Sequence, residues 1–240
     1  RQARDLGARK LIVLGGEPML YPHLFRQLEF IRGLDLALEI FTNGTNITVE
    51  NAQRLFDLEA QVVLKMDSFD RRIQDELAGK EGAYDIIQSA FTNLCASGYP
   101  SARSRMAVSS AICRQNFSEL PKLWEWLRDR NITPYFEILT PQGRALENPD
   151  VRVDPEKAGA LFTTLAEIDG RKYGHTWDPQ PPLASYRCLR HRYSCLITAS
   201  GTVMPCAGVT LPVGHVRERP LKEILQDSEV IQDLRDFREM

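Results

Sequence analysis

The sequence predicts an α/β fold in which right-handed βα units surround a parallel sheet. Between residues 10 and 139, short apolar runs alternate with amphipathic stretches. In one of these stretches, Leu120, Leu123, Trp124 and Leu127 recur at the spacing of one helix face. Strands that alternate with helices at this rhythm are typical of a parallel sheet covered by helices.

Five strands and four intervening helices explain this alternation. The strands are expected at Lys10–Leu14, Ala37–Phe41, Gln61–Met66, Met106–Ile112 and Pro134–Leu139. The helices are expected near Tyr21–Arg32, Val49–Leu58, Tyr84–Ala96 and Phe117–Arg130. In such folds the loops after the strands converge on one face, so functional residues are sought where the strands end.

The pattern changes beyond the fifth strand. A polar connection leads to a helix expected at about Pro155–Ile168, and a proline-rich stretch follows at residues 178–182, which indicates a boundary. Residues 195–206 then have the pattern of a short β-hairpin with its turn at Gly201. Two short helices are expected after the hairpin, near Leu221–Leu225 and Glu229–Arg238.

The composition gives no sign of a nucleic-acid or membrane partner. Of the 240 residues, 43% are hydrophobic and 26% are charged, which is ordinary for a globular domain. The net charge of −2 offers no basic surface for nucleic acid. No apolar run approaches the ~20 residues that a membrane helix needs, so we expect a cytoplasmic location. Both Arg1 and Met240 fall within helical patterns, and we expect the chain to be part of a longer polypeptide.

The loop after the first strand, Gly15-Gly16-Glu17-Pro18, has an unusual composition. Its two glycines let the backbone approach a ligand closely. Glu17 and free backbone carbonyls can accept hydrogen bonds from an ammonium group. The same residues are equally compatible with a tight turn in which Pro18 begins the next helix.

Polar residues also follow the second and third strands. Thr42, Asn43 and Gly44 end the second strand, although Asn-Gly is a common turn without a function. Lys65 and Asp67 end the third strand. A lysine and an aspartate are costly there unless they line a solvated cleft or pair with each other, and both arrangements are compatible with the sequence.

The fourth strand carries Ser109 and Ser110 and leads into Cys113, a cysteine that is equally compatible with a small buried hydrophobe. Four further polar residues near strand ends are candidates for contact with a substrate, and each could also be an ordinary surface residue. They are Arg114, Glu137, Gln142 and Arg144.

Taken in order, the strand ends resemble those of radical S-adenosylmethionine (SAM) enzymes. The segment from Leu11 to Leu24 contains the Gly-Gly-Glu-Pro motif of that family's second strand. Thr42-Asn43-Gly44 is similar to the end of its third strand, and residues 64–68 to the Ser-Leu-Asp-Ser segment of its fourth. The resemblance implies a partial (β/α)6 barrel, similar to a TIM barrel, of which residues 1–150 supply strands two to six.

The same resemblance implies a set of cofactor-binding residues. Gly15, Gly16 and Glu17 would hold the methionyl amine of SAM, and Lys65 with Ser109 or Ser110 would lie near its ribose and carboxylate. The full set is Gly15, Gly16, Glu17, Pro18, Thr42, Asn43, Lys65, Asp67, Ser109 and Ser110. No catalytic residue is identified.

Two departures from the family pattern matter. Lys65 stands where many relatives have serine. The Cys-x3-Cys-x2-Cys signature that binds the reducing cluster is absent from these 240 residues, and we expect it upstream of Arg1 together with the first strand. This chain alone is therefore not expected to cleave SAM.

Three of the five cysteines, Cys188, Cys195 and Cys206, lie within nineteen residues of each other. In a reducing compartment such a group indicates metal binding rather than a disulfide. Cys188, Gly201 and Cys206 have the spacing Cys-x12-Gly-x4-Cys, which resembles the opening of SPASM and twitch auxiliary-cluster domains. The resemblance implies that residues 186–240 form such a domain, with these cysteines binding a 4Fe–4S cluster, and that residues 151–185 are a helix and linker.

A structural zinc site is the main alternative for these cysteines, since zinc also takes three or four Cys or His ligands. His191 could complete such a set. The fourth ligand of an iron–sulfur cluster could instead lie beyond Met240 or come from the substrate.

The resemblance implies a radical SAM oxidoreductase or maturase that acts on a peptide or small molecule. It would use a 5′-deoxyadenosyl radical for hydrogen abstraction and a reducing partner such as flavodoxin or ferredoxin. The competing hypotheses are a zinc-stabilised α/β binding module and a non-catalytic relative of the family.

Overall fold

Five parallel strands in sequence order, β1-β2-β3-β4-β5, form the main sheet, and three antiparallel strands form a second, smaller one. The computed structural model describes residues 1–139, 144–181 and 189–236. The strands are β1 Lys10–Val13, β2 Ala37–Thr42, β3 Gln61–Lys65, β4 Met106–Ile112, β5 Thr133–Ile138, β6 Leu196–Ile197, β7 Thr202–Met204 and β8 Gly214–His215. The α/β class with a partial barrel sheet and a small C-terminal sheet is therefore confirmed.

Eleven helices are found in the described residues. They are α1 Gln2–Asp5, α2 Leu24–Arg32, α3 Val49–Asp57, α4 Arg71–Ala78, α5 Ala83–Ala96, α6 Leu120–Arg128, α7 Arg144–Glu147, α8 Pro155–Ile168, α9 Arg190–Tyr193, α10 Leu221–Asp227 and α11 Glu229–Asp236. Single 3-10 turns occupy Pro18–Leu20, Phe117–Glu119 and Pro149–Val151, and a π-helical turn occupies Asp169–Tyr173. None of the helices described is both long and apolar enough to cross a membrane.

The chain divides into two units. The larger comprises Lys10–Pro182, and the smaller comprises Arg1–Arg9 together with Leu183–Met240. Each has its own apolar core.

The larger unit has helices that begin at side-chain caps. Thr48 accepts a hydrogen bond from Asn51 N at 3.1 Å at the start of α3, and Asp70 accepts one from Ile73 N at 3.0 Å at the start of α4. Such caps satisfy backbone donors that the first turn leaves free. The strand predictions agree with the structure to within about one residue, because buried apolar runs between helices are a strong signal.

The helix predictions differ from the structure at α2 and α4. The helix expected at Tyr21–Arg32 begins only at Leu24, because Pro18–Leu20 form a separate 3-10 turn. Helix α4 was not predicted, since its eight residues are mostly polar and its stability depends on the cap and on contacts with α5.

The main sheet is strongly curved. Side chains alternate between its two faces, and Leu38, Ile40 and Leu64 on the helix-covered face are fully or almost fully buried. On the other face, the rings of Phe41 in β2 and Tyr135 in β5 have their centroids 6.1 Å apart. Because β3 and β4 lie between these strands, a flat sheet would separate them by about 14 Å. The face that carries Phe41 and Tyr135 is therefore concave, as in a barrel.

The smaller unit contains the predicted hairpin. β6 pairs antiparallel with β7, and β7 pairs with β8, a third strand that was not predicted because it has only two residues. Val203, Leu221 and Ile224 form its core and are at most 3% exposed. The short helix α1 belongs to this unit, where Gln2 Oε1 accepts a hydrogen bond from Leu221 N at 2.6 Å.

Candidate functional site

Glu17 lies at the centre of the contacts between the first two strand ends. Its Oε1 accepts hydrogen bonds from Met19 N at 2.9 Å and from the Thr42 hydroxyl at 2.8 Å. Its Oε2 accepts one from Asn43 N at 2.6 Å. The carboxylate is thus held above the loop after β1 by donors from two strand ends.

The glycines beside Glu17 leave the backbone open to solvent. Gly15 has φ +139°, a conformation that L side chains rarely adopt. A Cβ placed at either Gly15 or Gly16 would meet no atom within 4 Å. These glycines are therefore not required for packing, and the open space at them leaves room for a ligand beside Glu17.

Lys65 and Asp67 pair with each other at the end of β3. The Asp67 carboxylate is 5% exposed and also accepts a hydrogen bond from Ala111 N at 2.7 Å, whereas the Lys65 side chain is 39% exposed. Lys65 is opposite Ser109 in the register, and Ser109 is opposite Tyr135. An ammonium group with two further donors therefore lies on the concave face beside Ser109.

The two serines of β4 point to opposite faces. Ser109 lies on the concave face, next to Lys65, and is 5% exposed. Ser110 is fully buried on the helix-covered face, where its hydroxyl donates to Met66 O. The sequence alone left open which of the two would face a cofactor.

Two residues that the sequence did not single out hold the turn after β3. The Gln74 side-chain carbonyl accepts from Asp67 N at 2.8 Å and from Ser68 N at 3.1 Å. The Asn116 amide donates to Asp67 O at 2.7 Å. No sequence signal could have found the Asn116 contact, because Asn116 is 49 residues from Asp67 in the chain.

Cys113 is 3% exposed at the end of β4. Burial, with a smaller contribution from Asp67, raises the pKa of its thiol to about 12. A thiol that stays protonated at neutral pH is a poor nucleophile and metal ligand. Cys113 therefore behaves as a small buried hydrophobe.

A cavity of about 520 Å³ lies at the ends of β4 and β5. It is lined by Ile112, Ile138 and Leu139 and by the segment 152–155 with Ala158. This segment is held there by an antiparallel bridge between Cys113 and Arg152. The volume lies within the range of small-molecule sites.

The four substrate candidates are placed as follows. Arg114 is exposed and its backbone N–H donates to Val151 O, while Glu137 is half-buried on the concave face. Gln142 and the side chain of Arg144 lie outside the described residues.

Two of the three clustered cysteines are described. Cys195 directly precedes β6 and Cys206 closely follows β7. Because Leu196 pairs with Met204, both thiols lie at the same end of this ladder. Burial raises the pKa of the Cys195 thiol, with Arg235 acting in the opposite direction. Cys188 lies outside the described residues.

The described part of the chain contains no group of three His, Cys, Asp or Glu side chains that could hold a metal ion. His191 in α9 has a buried Nε2 atom with no hydrogen-bond partner in the part of the chain that the structure describes. The thiols of Cys195 and Cys206 are of the kind that binds iron–sulfur clusters. A complete ligand set needs further groups, such as Cys188, that lie outside the described residues.

A curved parallel sheet with polar groups gathered at its strand ends is typical of barrel-type α/β folds, and comparison with known proteins identifies the family. The model of the radical SAM superfamily matches residues 1–127, and that of the SPASM iron–sulfur cluster-binding domain matches residues 188–240. The chain belongs to the radical SAM superfamily. Members of this superfamily use SAM, and the second match is to an iron–sulfur cluster-binding domain.

Relatives with assigned activities are distant. The chain is 23% identical to the AdoMet-dependent heme synthase of Methanosarcina barkeri over 100% of its own length and 74% of the relative's. It is 24% identical to the mycofactocin maturase MftC of Mycolicibacterium smegmatis, covering 92% of this chain and 59% of the maturase.

Among solved structures, SuiB of Streptococcus suis bound to its precursor peptide SuiA superposes with a TM-score of 0.72 at 18% identity. The match covers 99% of this chain and 58% of SuiB. The likeness shows the fold, and the chain spans little more than half the length of SuiB.

Proposed function

We propose that this chain belongs to a radical SAM maturase that modifies a peptide and carries an auxiliary 4Fe–4S cluster. The observation that supports this most strongly is the Glu17 carboxylate, held by three donors beside two glycines with open space above them. An ammonium group is the natural ligand for a carboxylate that still has a free lone pair.

In this proposal the concave face binds the cofactor. Gly15, Gly16 and Glu17 take the methionyl amine, and Lys65 with Ser109 takes the carboxylate or ribose. When bound and reduced, SAM supplies a 5′-deoxyadenosyl radical for hydrogen abstraction from the substrate. The residues of this chain orient the cofactor and exclude water from it. Pro18 starts the 3-10 turn that fixes Glu17, and Asp67 holds Lys65.

A peptide substrate is supported by the relatives, since MftC is named a maturase and SuiB was solved with a precursor peptide. Arg114, Glu137, Gln142 and Arg144 remain candidates for contact with it. We further propose a cytoplasmic location, a flavodoxin or ferredoxin as reductant, and segment boundaries along the sequence at 1–150, 151–185 and 186–240, of which the first segment includes residues 1–9 that group with the smaller unit.

The auxiliary cluster would be held by Cys188, Cys195 and Cys206. A zinc site is the second candidate, because the buried Nε2 of His191 has no partner and is a possible zinc ligand.

Anaerobic reconstitution with iron and sulfide separates these two candidates. We expect a broad brown absorbance that is lost in Cys206→Ala, because removing a buried thiolate ligand prevents cluster assembly. Cys95→Ala changes an exposed cysteine on α5 and is the matched control, in which the absorbance is retained. A colourless protein that contains zinc, and loses it in His191→Ala, contradicts the cluster.

A further inference from the structure

We propose that Thr42 and Asn43 are positioning residues for SAM. Both act through Glu17, and they leave one lone pair on Glu17 Oε2 for the cofactor's amine. The inference rests on the proposed function, because it assumes that Glu17 binds this amine. In this arrangement the end of β2 orients the Glu17 carboxylate, which follows β1.

The hydrogen bonds of Glu17 are unevenly divided between its two oxygens. An ionised carboxylate has about four acceptor sites, two on each oxygen. Both sites of Oε1 are taken, by Met19 N at 2.9 Å and by the Thr42 hydroxyl at 2.8 Å. Among the residues that the structure describes, Oε2 accepts only from Asn43 N, at 2.6 Å. One acceptor site therefore remains, and it is on Oε2.

The Thr42 hydroxyl has no proton left to donate to a ligand and keeps one unused acceptor lone pair. Its hydroxyl has one proton, which it donates to Glu17, and its oxygen accepts from Gly44 N at 3.1 Å. The residue is 4% exposed and, by strand alternation, its side chain belongs to the helix-covered face with Leu38 and Ile40. Because the remaining lone pair is buried on the helix-covered face, Thr42 affects a ligand on the concave side through the carboxylate that it fixes.

Asn43 contributes its backbone rather than its side chain. The side-chain oxygen accepts from Thr45 N at 2.9 Å, which closes a local turn, while the backbone N–H reaches Glu17 Oε2. The turn thus aims the Asn43 N–H at the carboxylate, and together with Thr42 it prevents rotation of the carboxylate plane. Groups preorganised in this way bind without paying for ordering.

The test compares Thr42→Val with Thr42→Ser in anaerobically reconstituted protein. Valine keeps the volume and removes the hydroxyl, whereas serine keeps the hydroxyl. We expect Thr42→Val to lower the affinity for SAM about tenfold, since a hydrogen bond to a charged group is lost and the carboxylate becomes free to rotate. Thr42→Ser is expected to bind SAM within about twofold of the unmodified protein.

The amine-specific readout is the affinity for a SAM analogue that lacks the α-amino group, measured by equilibrium dialysis. We expect Thr42→Val to leave this affinity unchanged, because the analogue makes no hydrogen bond to Glu17. A loss of equal size for SAM and the analogue, or no loss for SAM, overturns the inference. If Thr42→Val does not fold, it binds neither ligand, and circular dichroism identifies this case. The inference is then tested with Thr42→Ser, which keeps the hydroxyl and must therefore keep the affinity for SAM.

Glu17→Gln separates failure of the inference from failure of the proposed function. We expect it to weaken SAM binding and to abolish any further effect of Thr42→Val. If Glu17→Gln leaves SAM binding intact, the proposed cofactor site itself is wrong. If it weakens binding and Thr42→Val does not, only the positioning role is wrong.

Discussion

Asp169 is a fully buried carboxylate whose four acceptor sites are all used. Its Oδ1 accepts from Trp124 Nε1 at 2.7 Å and from Arg128 Nε at 3.0 Å. Its Oδ2 accepts from Arg128 Nη2 and from Trp177 Nε1 at 2.9 Å. Burial opposes ionisation of Asp169, but the hydrogen bonds from Arg128, Trp124 and Trp177 outweigh it and lower the pKa.

We expect Asp169→Asn to lower the free energy of unfolding by about 3 kcal/mol at pH 7, because it leaves Arg128, whose side chain is 18% exposed, without its counter-charge. Because folding lowers the pKa of Asp169, its ionised carboxylate stabilises the folded state at pH values above the unfolded-state pKa of about 4. This stability is lost as the pH falls through the folded-state pKa, so the difference between the two proteins must shrink below about pH 4.

Urea unfolding at pH 7 and at about pH 3 measures this difference. The control is Trp177→Phe, which keeps the ring contact with Trp124 and removes one donor, at a cost of about 1 kcal/mol. A difference between Asp169→Asn and the unmodified protein that does not change with pH contradicts the role of the ionised carboxylate.

At the scale of elements, two glycines are expected to respond to alanine with opposite signs. Gly201 ends the hairpin turn with φ +105°, and a Cβ there would lie 2.9 Å from the His215 ring. Gly159 lies inside α8, where a Cβ would meet nothing within 4 Å. We expect Gly201→Ala to destabilise the smaller unit by about 2 kcal/mol and Gly159→Ala to stabilise the larger by about 0.7 kcal/mol.

Thermal unfolding followed by circular dichroism, with each variant compared with the unmodified chain, measures both changes. The two substitutions add the same methyl group and therefore control for each other. Equal effects on stability would show that neither the turn conformation nor the helix propensity decides the outcome.

The elements also show why some predictions failed. Parallel strands are covered on both faces, so their apolar runs reveal the strand but not which side chains face the concave side. Ser109 and Ser110 could not be distinguished for this reason, and the register decided between their faces. The third strand of the small sheet, Gly214–His215, is held by pairing with β7 and not by its own propensity.

At the scale of the whole molecule, the separate cores of the two units predict a local response to cofactor loading. Iron and sulfide bound at the cysteine hairpin are expected to slow amide exchange about 100-fold within residues 189–236, equivalent to ~2.7 kcal/mol at a ligand concentration of about 100 Kd. Exchange in β2, β3 and β4 is expected to stay unchanged.

Hydrogen exchange with mass spectrometry measures both regions in one sample. The protection must disappear in Cys206→Ala and persist in Cys95→Ala. Protection that spreads equally through the main sheet contradicts independent stability of the two units.

The sequence by itself determined the α/β class, the positions of the five parallel strands and the family resemblance, because these depend on local periodicity and on short motifs. The tertiary structure decided which residues meet. Glu17 and Thr42 are 25 residues apart, and Asn116 and Asp67 are 49 apart, so only strand order and register bring them into contact. Hydrogen-bond partners at strand ends depend on geometry across the sheet, which no local pattern contains.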